Sequence, residues 1–228
     1  MWRFLFVCML LAAAAGRVCA ADLTATEKRW LDGAWPVVLF AKAEGLPLDI
    51  VVQPQAMPAA APLALGFIDG RCKLVLSMRG NTEAQATLDR IDPELLNSTL
   101  ELMAAHEIGH CRRYLDGAWH GLPAGFSPTI PPGASPALQA AYADMEAERR
   151  EEGYGDLVGL AWTRQRHPQQ YVRLQAWLAE ERSRDRVPGS PHDTLVWVQL
   201  AGDGTSLASP SIFDAANALW KEGLARPD

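Results

Sequence analysis

The sequence predicts an α+β domain, and three observations carry that reading. Segments rich in β-branched and alternating apolar residues gather in the first third of the chain, as "LDIVVQ", "LALGFI" and "CKLVLSM". Beyond them, apolar residues recur at helical spacing almost to the end, as in "ALQAAYADMEAERREEGYGDLVGLAW". No repeat and no low-complexity linker divides the chain, so a few strands are followed by mostly helices within one unit.

The first twenty residues stand apart from that unit. Arg3 supplies a short positive region, Phe4 to Ala15 an apolar run, and Val18-Cys19-Ala20 a small-residue cleavage site before Ala21. This is the pattern of a secretory signal peptide over residues 1–20. The apolar run is shorter than the roughly 20 residues that a bilayer-spanning helix needs. The expectation is therefore an exported domain over residues 21–228, periplasmic or secreted, with no stable membrane insertion of the mature chain. Loss of Arg3 and Arg17 with no acid takes the formal net charge from −6 to −6 − 2 = −8. "ERREE" (148–152) mixes signs and no lysine-arginine cluster exists, which argues against a nucleic-acid partner. Cys8 and Cys19 leave with the signal, so Cys72 and Cys111 remain, either as one disulfide in an oxidising compartment or as two separate buried thiols.

Taken in order, residues 24–44 read as a helix with Thr24 or Thr26 as N-cap, perturbed at Gly33 and Pro36 and ended by Gly45. Leu48 to Gln53 reads as a strand. "LALGFI" and "CKLVLSM" flank Asp69-Gly70, a hairpin turn signal. "GNTEAQATLDRID" reads as a polar connection, after which Pro93 opens a helix running through "LELMAAHEIGHCRRYLDG". "AWHGLPAGFSPTIPPGASP" is too rich in Pro and Gly to be regular, and Ser135-Pro136 is an N-cap and first-turn pair for the long helix that follows. Further helices are expected from His167-Pro168, from Ser190-Pro191, and from Ser211 to Leu224.

The chemistry sits in His-Glu-x-x-His at His106, Glu107 and His110. Two histidines one turn apart project from one helix face and can share an ion. Zinc suits neutral imidazole in a tetrahedral shell, and a catalytic zinc keeps three protein ligands and one water. Glu107 beside the pair is the natural general base and acid, taking a proton from water and passing it to a leaving amine. Such polar residues in a helix made mostly apolar by Leu95, Leu96, Leu100, Leu102, Met103 and Ile108 call for an explanation.

The third ligand has several candidates. Asp116 falls where metzincins carry theirs, but the glycine that turns their chain is replaced by Arg113. His120 is poorly spaced. The next helix offers Glu148, Glu152 and Asp156. His-Glu-x-x-His followed by Glu-x-x-x-Asp, here Glu152 and Asp156, resembles the gluzincin zinc metallopeptidases, and among them the minimal-domain group of CAAX-prenyl-protease and heat-shock membrane-protease type. The resemblance spans roughly 48–162, with strand, Pro-containing loop, strand and metal helix in the same order. It implies a zincin-like fold, with a small antiparallel or mixed sheet whose edge strand lies over the metal-binding helix. It also implies zinc held by His106, His110 and Glu152, with Asp156 orienting His106, while Glu148 stays an alternative ligand. Gly153 and Gly155 depart from the helix-forming pattern, and close approach of two helices at the zinc is the physical reason to expect them there.

The same resemblance places a later histidine near substrate. His167, in "HPQQYVR", and His192, in "SPHDT", compete for that place, with His192 favoured as a donor to the developing oxyanion. It implies a peptide or protein substrate lying along an edge strand, for which "CKLVLSM" is the candidate, the other reading of that segment being an interior strand. On that strand Cys72 is placed to bridge to Cys111 beside the second ligand; the other reading of Cys72, a thiolate ligand to zinc, needs motifs of peptide deformylases that the chain lacks. The function expected is an exported zinc metalloendopeptidase. The alternative from another class is a catalytically degenerate zincin working as a periplasmic binding protein. Nothing in the sequence sets the oligomeric state.

Overall fold

A computed structural model describes residues 22–54, 61–128, 133, 135–184 and 186–226. The expected signal peptide lies outside the described residues. Helix α1 (Ala25–Ala43) opens with a capping box, in which the Thr24 hydroxyl accepts from the Glu27 N–H and the Glu27 carboxylate accepts from the Thr24 N–H. It runs unbroken through Gly33 and Pro36, against the perturbation expected there. Gly33 lies where α1 meets the segment after Pro93, and a Cβ on it would come within 2.4 Å of the Leu100 side chain. Trp30, Ala34, Val37 and Ala41 form the buried stripe of this helix.

Strands β1 (Leu48–Pro54), β2 (Leu63–Ile68) and β3 (Arg71–Arg79) make one sheet in the order β1-β3-β2, with β1 parallel and β2 antiparallel to β3. Asp69 and Gly70 take φ of 53° and 72°, the two positive values that a tight two-residue hairpin demands. The order corrects one expectation. "CKLVLSM" is the central strand, with Cys72, Leu74 and Leu76 fully buried, and β2 is the edge that packs on the helix carrying His106 and His110.

The connection read as polar is also structured. Helix α2 (Thr82–Arg90) starts at Asn81, whose side chain accepts from the Glu83 N–H, and buries Ala84 and Thr87. The Trp30 indole donates to the Ala84 carbonyl and ties α2 to α1. Residues 93–95 form a turn rather than helix, and α3 (Leu96–Leu115) follows as the central element, packed on α1, β2 and α4 (Pro136–Arg166). Ser135 caps α4 as its sequence predicts. Cys72 and Cys111 are joined as a disulfide that links β3 to α3. Closing a loop of this separation, 39 residues, constrains the unfolded chain by roughly 4 kcal/mol in the chain-entropy picture.

Helices α5 (Tyr171–Ser183), α6 (Leu195–Ala201) and α7 (Ile212–Leu224) wrap the second half of α4. Indole and phenol donors fasten them, with Trp220 to the Arg150 carbonyl, Trp197 to the Trp220 carbonyl and Tyr171 to the Ala201 carbonyl. Among the described residues the architecture is α+β, with seven α-helices and one three-stranded mixed sheet. No helix among them is long and apolar enough to cross a membrane.

Candidate metal centre

The α3–α4 crossing builds the site. His106 and His110 share the face of α3 turned toward α4, and Glu152 and Asp156 share the face of α4 turned back. The crossing is tight because glycine faces glycine. A Cβ on Gly109 would lie 3.2 Å from the Gly155 Cα, and one on Gly155 would sit 2.8 Å from the His106 ring. The glycine at 155, costly inside a helix by about 1 kcal/mol, leaves room for the imidazole.

The two Nε2 atoms of His106 and His110 face each other at 2.9 Å, and Glu152 oxygens lie 3.4 Å from the first and 3.5 Å from the second. All three ligand atoms fall within 4.8 Å of one another. A tetrahedral ion with bonds of about 2.0–2.1 Å keeps its donors roughly 3.3 Å apart. The carboxylate already meets that spacing, and the nitrogens need only a small separation. Two imidazoles and one carboxylate are also a donor set that zinc accepts. The residues therefore fit a cation of this type.

Each ligand is oriented differently. His106 Nδ1 is 3.0 Å from Asp156 Oδ1, which fixes the ring with Nε2 toward the other donors. His110 Nδ1 is buried with no hydrogen-bond partner among the described residues, and its ring is held instead by the edge-on contact with Trp119, 5.4 Å between centroids. Asp156 is fully buried, and three further hydrogen bonds hold it. Arg182 Nε and Nη2 donate to its two oxygens at 2.8 and 2.6 Å, and the Thr194 hydroxyl donates to Oδ2 at 2.5 Å.

The electrostatics follow from that packing. Burial favours neutral His106, but the hydrogen bond with Asp156 and the nearby Glu152 carboxylate outweigh it and raise its pKa to about 10. Ligation would put a cation where that proton sits. Burial works against the charge of Asp156, yet Arg182 and His106 hold its carboxyl below the usual range. Glu152 is likewise buried against its charge, and the imidazoles of His106 and His110 hold it well below. Burial pushes the Glu107 carboxyl up, with the two imidazoles pulling the other way.

Glu107 and His192 line the same cavity of about 430 Å³. The His192 imidazole is 70% exposed at its mouth, with Nε2 3.6 Å from a Glu152 oxygen. The competing positions lie elsewhere or are otherwise engaged. Asp116 pairs with Arg112 at the end of α3. Glu148 lines the cavity but pairs with His120 at 3.1 Å. His167 contacts Glu101 at 2.9 Å, beside the Trp162 indole that donates to the same carboxylate. Arg173, from "HPQQYVR", binds Asp92 and Glu94 on the surface.

Arg182 and Thr194 escaped sequence reasoning, as did Trp119. No motif marks them, and their partners in the site lie on other elements. The one local sign was Thr194 close behind His192, in "HDT". No protein family matches the chain, and neither do curated proteins or solved structures. The site is therefore read from its own geometry.

Proposed function

We propose that the protein is a zinc-dependent peptide hydrolase of zincin-like design, exported from the cell and related in its site to the gluzincins. The observation that carries this reading is the convergence of His106 Nε2, His110 Nε2 and the Glu152 carboxylate beside Glu107, on a cavity bordered by the edge strand β2. His106, His110 and Glu152 would hold the ion. When bound, zinc polarises a carbonyl and makes a nearby water a stronger nucleophile.

The chain's own residues do the rest. Glu107 takes the water proton and returns it to the leaving amine nitrogen. Asp156 accepts from His106 Nδ1–H, and Arg182 balances the Asp156 charge, which keeps the ring fixed while charge shifts around it. His192 stands at the cavity mouth as a donor to the carbonyl oxygen of the bound peptide. Main-chain groups along β2, rather than β3, receive that peptide as an added strand. The disulfide fits an oxidising compartment.

The test is metal content and turnover together. Purified protein reconstituted with zinc is expected to bind one equivalent and to cleave a mixed peptide library, and Glu107→Ala should keep the metal and lose cleavage. Zinc bound by both proteins with cleavage by neither would replace the hydrolase with a binding protein built on the same site. No zinc retained by either would remove the metal centre altogether.

A further inference from the structure

A second polar cavity lies on another face of α4. Helix geometry puts Glu148 and Glu152 on the side of the metal centre, and Glu146, Arg149 and Arg150 on a different side, against α6 and the end of α7. The cavity there measures about 70 Å³ and shares no lining residue with the metal site. At the ~10–15 Å³ that one water needs, it has room for a few waters or for one small oxyanion.

Its walls are firmly held. Trp197 packs so closely on two glycines that a Cβ on Gly153 would come within 2.5 Å of the indole, and one on Gly223 within 2.2 Å. The Arg149 guanidinium lies over that ring, 5.5 Å from its centroid, while its Nε donates to the Asp193 carbonyl at 2.6 Å. The Trp220 indole donates to the Arg150 carbonyl, which fixes the backbone from which the second guanidinium extends. Arg226 and Ser127, both exposed, line the same cavity.

What this cavity lacks is an acceptor. Arg150 is 8% exposed, and among the described residues its guanidinium donates no hydrogen bond. Its ion-pair partner Glu146 lies 3.7 Å from Nη1, and the same carboxylate lies 3.7 Å from Arg149 Nη1. Both distances are beyond ordinary N–H···O bonding. Other acids nearby are committed, Glu151 to Arg113, Asp193 to Arg186 and the Gly189 N–H, and Glu222 to Arg226. A guanidinium carries five N–H donors, and leaving them unspent away from bulk water is costly unless something else accepts.

We infer that this cavity is a binding site for one small oxyanion, a carboxylate or a tetrahedral sulfate-type group, which accepts from the Arg150 guanidinium between Arg149 and Arg226. The planar fork of arginine matches two oxygens of either group in parallel bonds, and charge-assisted bonds of this kind are the strong ones. A gathering of three arginines also stands out in a chain of net charge −6, whose overall field repels anions. The site is independent of the hydrolase reading, because none of its residues touches the proposed metal ligands' cavity.

Equilibrium dialysis of radiolabelled sulfate against the full zinc-loaded chain tests this, with acetate as competitor and ionic strength fixed by sodium chloride so that screening stays constant. The expected result is saturable uptake of one equivalent. Displacement by acetate at concentrations below that of sulfate identifies a carboxylate site, and displacement only at higher ones a tetrahedral site. Arg150→Met should weaken binding by about tenfold or more. Glu146→Gln should strengthen it, because that acid competes with the ligand for both guanidiniums. Arg150→Lys keeps the charge without the planar fork, and it carries the same expectation as Arg150→Met should that variant fail to fold. Uptake that survives substitution of Arg150 belongs to the metal centre and overturns the site. Absence of saturable uptake by the parent leaves the cavity to water and overturns it as well.

Discussion

Glu151 and Glu152 are neighbours on α4 and meet opposite surroundings. Arg113 grips Glu151 through Nε and Nη2, both at 2.8 Å, and the His120 N–H adds a third bond at 2.9 Å. Its side chain is 1% exposed. Glu152 has two imidazoles at 3.4 and 3.5 Å, with Arg182 and His192 both at 3.6 Å. These distances exceed the ~2.7–3.2 Å of ordinary N–H···O bonds. The first carboxylate is a finished structural contact that anchors the loop after α3. The second is surrounded by groups that a cation would draw together. Burial and charge alone do not distinguish such residues; saturation of their hydrogen bonds does.

The largest effect should come from the finished contact. Glu151→Ala leaves the buried Arg113 guanidinium without a counter-charge, its Nη2 bond to the Gly121 carbonyl aside, and removing one partner of a buried ion pair costs about 3–5 kcal/mol. Denaturant unfolding with a chelator present checks this. A change below about 1 kcal/mol would show that the cation–π contacts of Arg113 with Trp220 and Tyr154 suffice without the carboxylate.

Glu152→Ala should act through the metal instead. A ligand present at a hundred times its Kd stabilises the native state by about 2.7 kcal/mol. The parent should gain that increment when zinc replaces chelator, and Glu152→Ala should gain none at the same zinc concentration. Equal gains by both proteins would place the third donor elsewhere, with Glu148 the nearest alternative.

How much of this contrast was legible follows from which interactions are local. His106, Glu107 and His110 could be read because a helix turn brings them together, and Asp156 because it lies one turn from Glu152 on its own helix. The strands and their hairpin were visible in β-branched runs and in Asp69-Gly70. Edge and centre were not, because β1 pairs in parallel with β3 past the intervening β2, and pairing of that kind leaves no mark on alternation. Helix α2 hid because it is short and mostly polar, burying only Ala84 and Thr87, and so reads as a connection. The role of Arg182 depends on α5 folding back over α4, so no spacing rule could supply it. Glu152 stood apart from Glu151 in "ERREE" only through its spacing to Asp156; the grip of Arg113 and the His120 N–H on Glu151 joins α4 to α3 and to the loop beyond it, which no spacing shows.

The network behind His106 sharpens the contrast at smaller scale. Asp156→Asn keeps the shape but weakens the acceptor on His106 Nδ1 and leaves Arg182 facing a neutral amide. Losses of about 10–100-fold in metal affinity are typical when such a partner of a ligating histidine is changed. Competition with a chromophoric chelator measures it. An unchanged affinity would mean that packing against Gly155 orients the ring without the carboxylate.

The smallest effect on metal affinity belongs to Thr194. Its hydroxyl is fully buried and donates to Asp156 Oδ2, an oxygen that Arg182 Nε also reaches. Thr194→Val removes one donor of four from Asp156 at nearly constant volume. A hydrogen bond to a charged group is worth about 1.5–3 kcal/mol to the fold, so chemical denaturation should report a loss of that order. Metal affinity should fall by less than about tenfold, because Asp156 remains ionised and held by Arg182, and acts on the ion only through His106. Both quantities come from the same preparations of parent and variant. If affinity fell as far as in Asp156→Asn, the hydroxyl rather than the guanidinium would be what aims the carboxylate at His106.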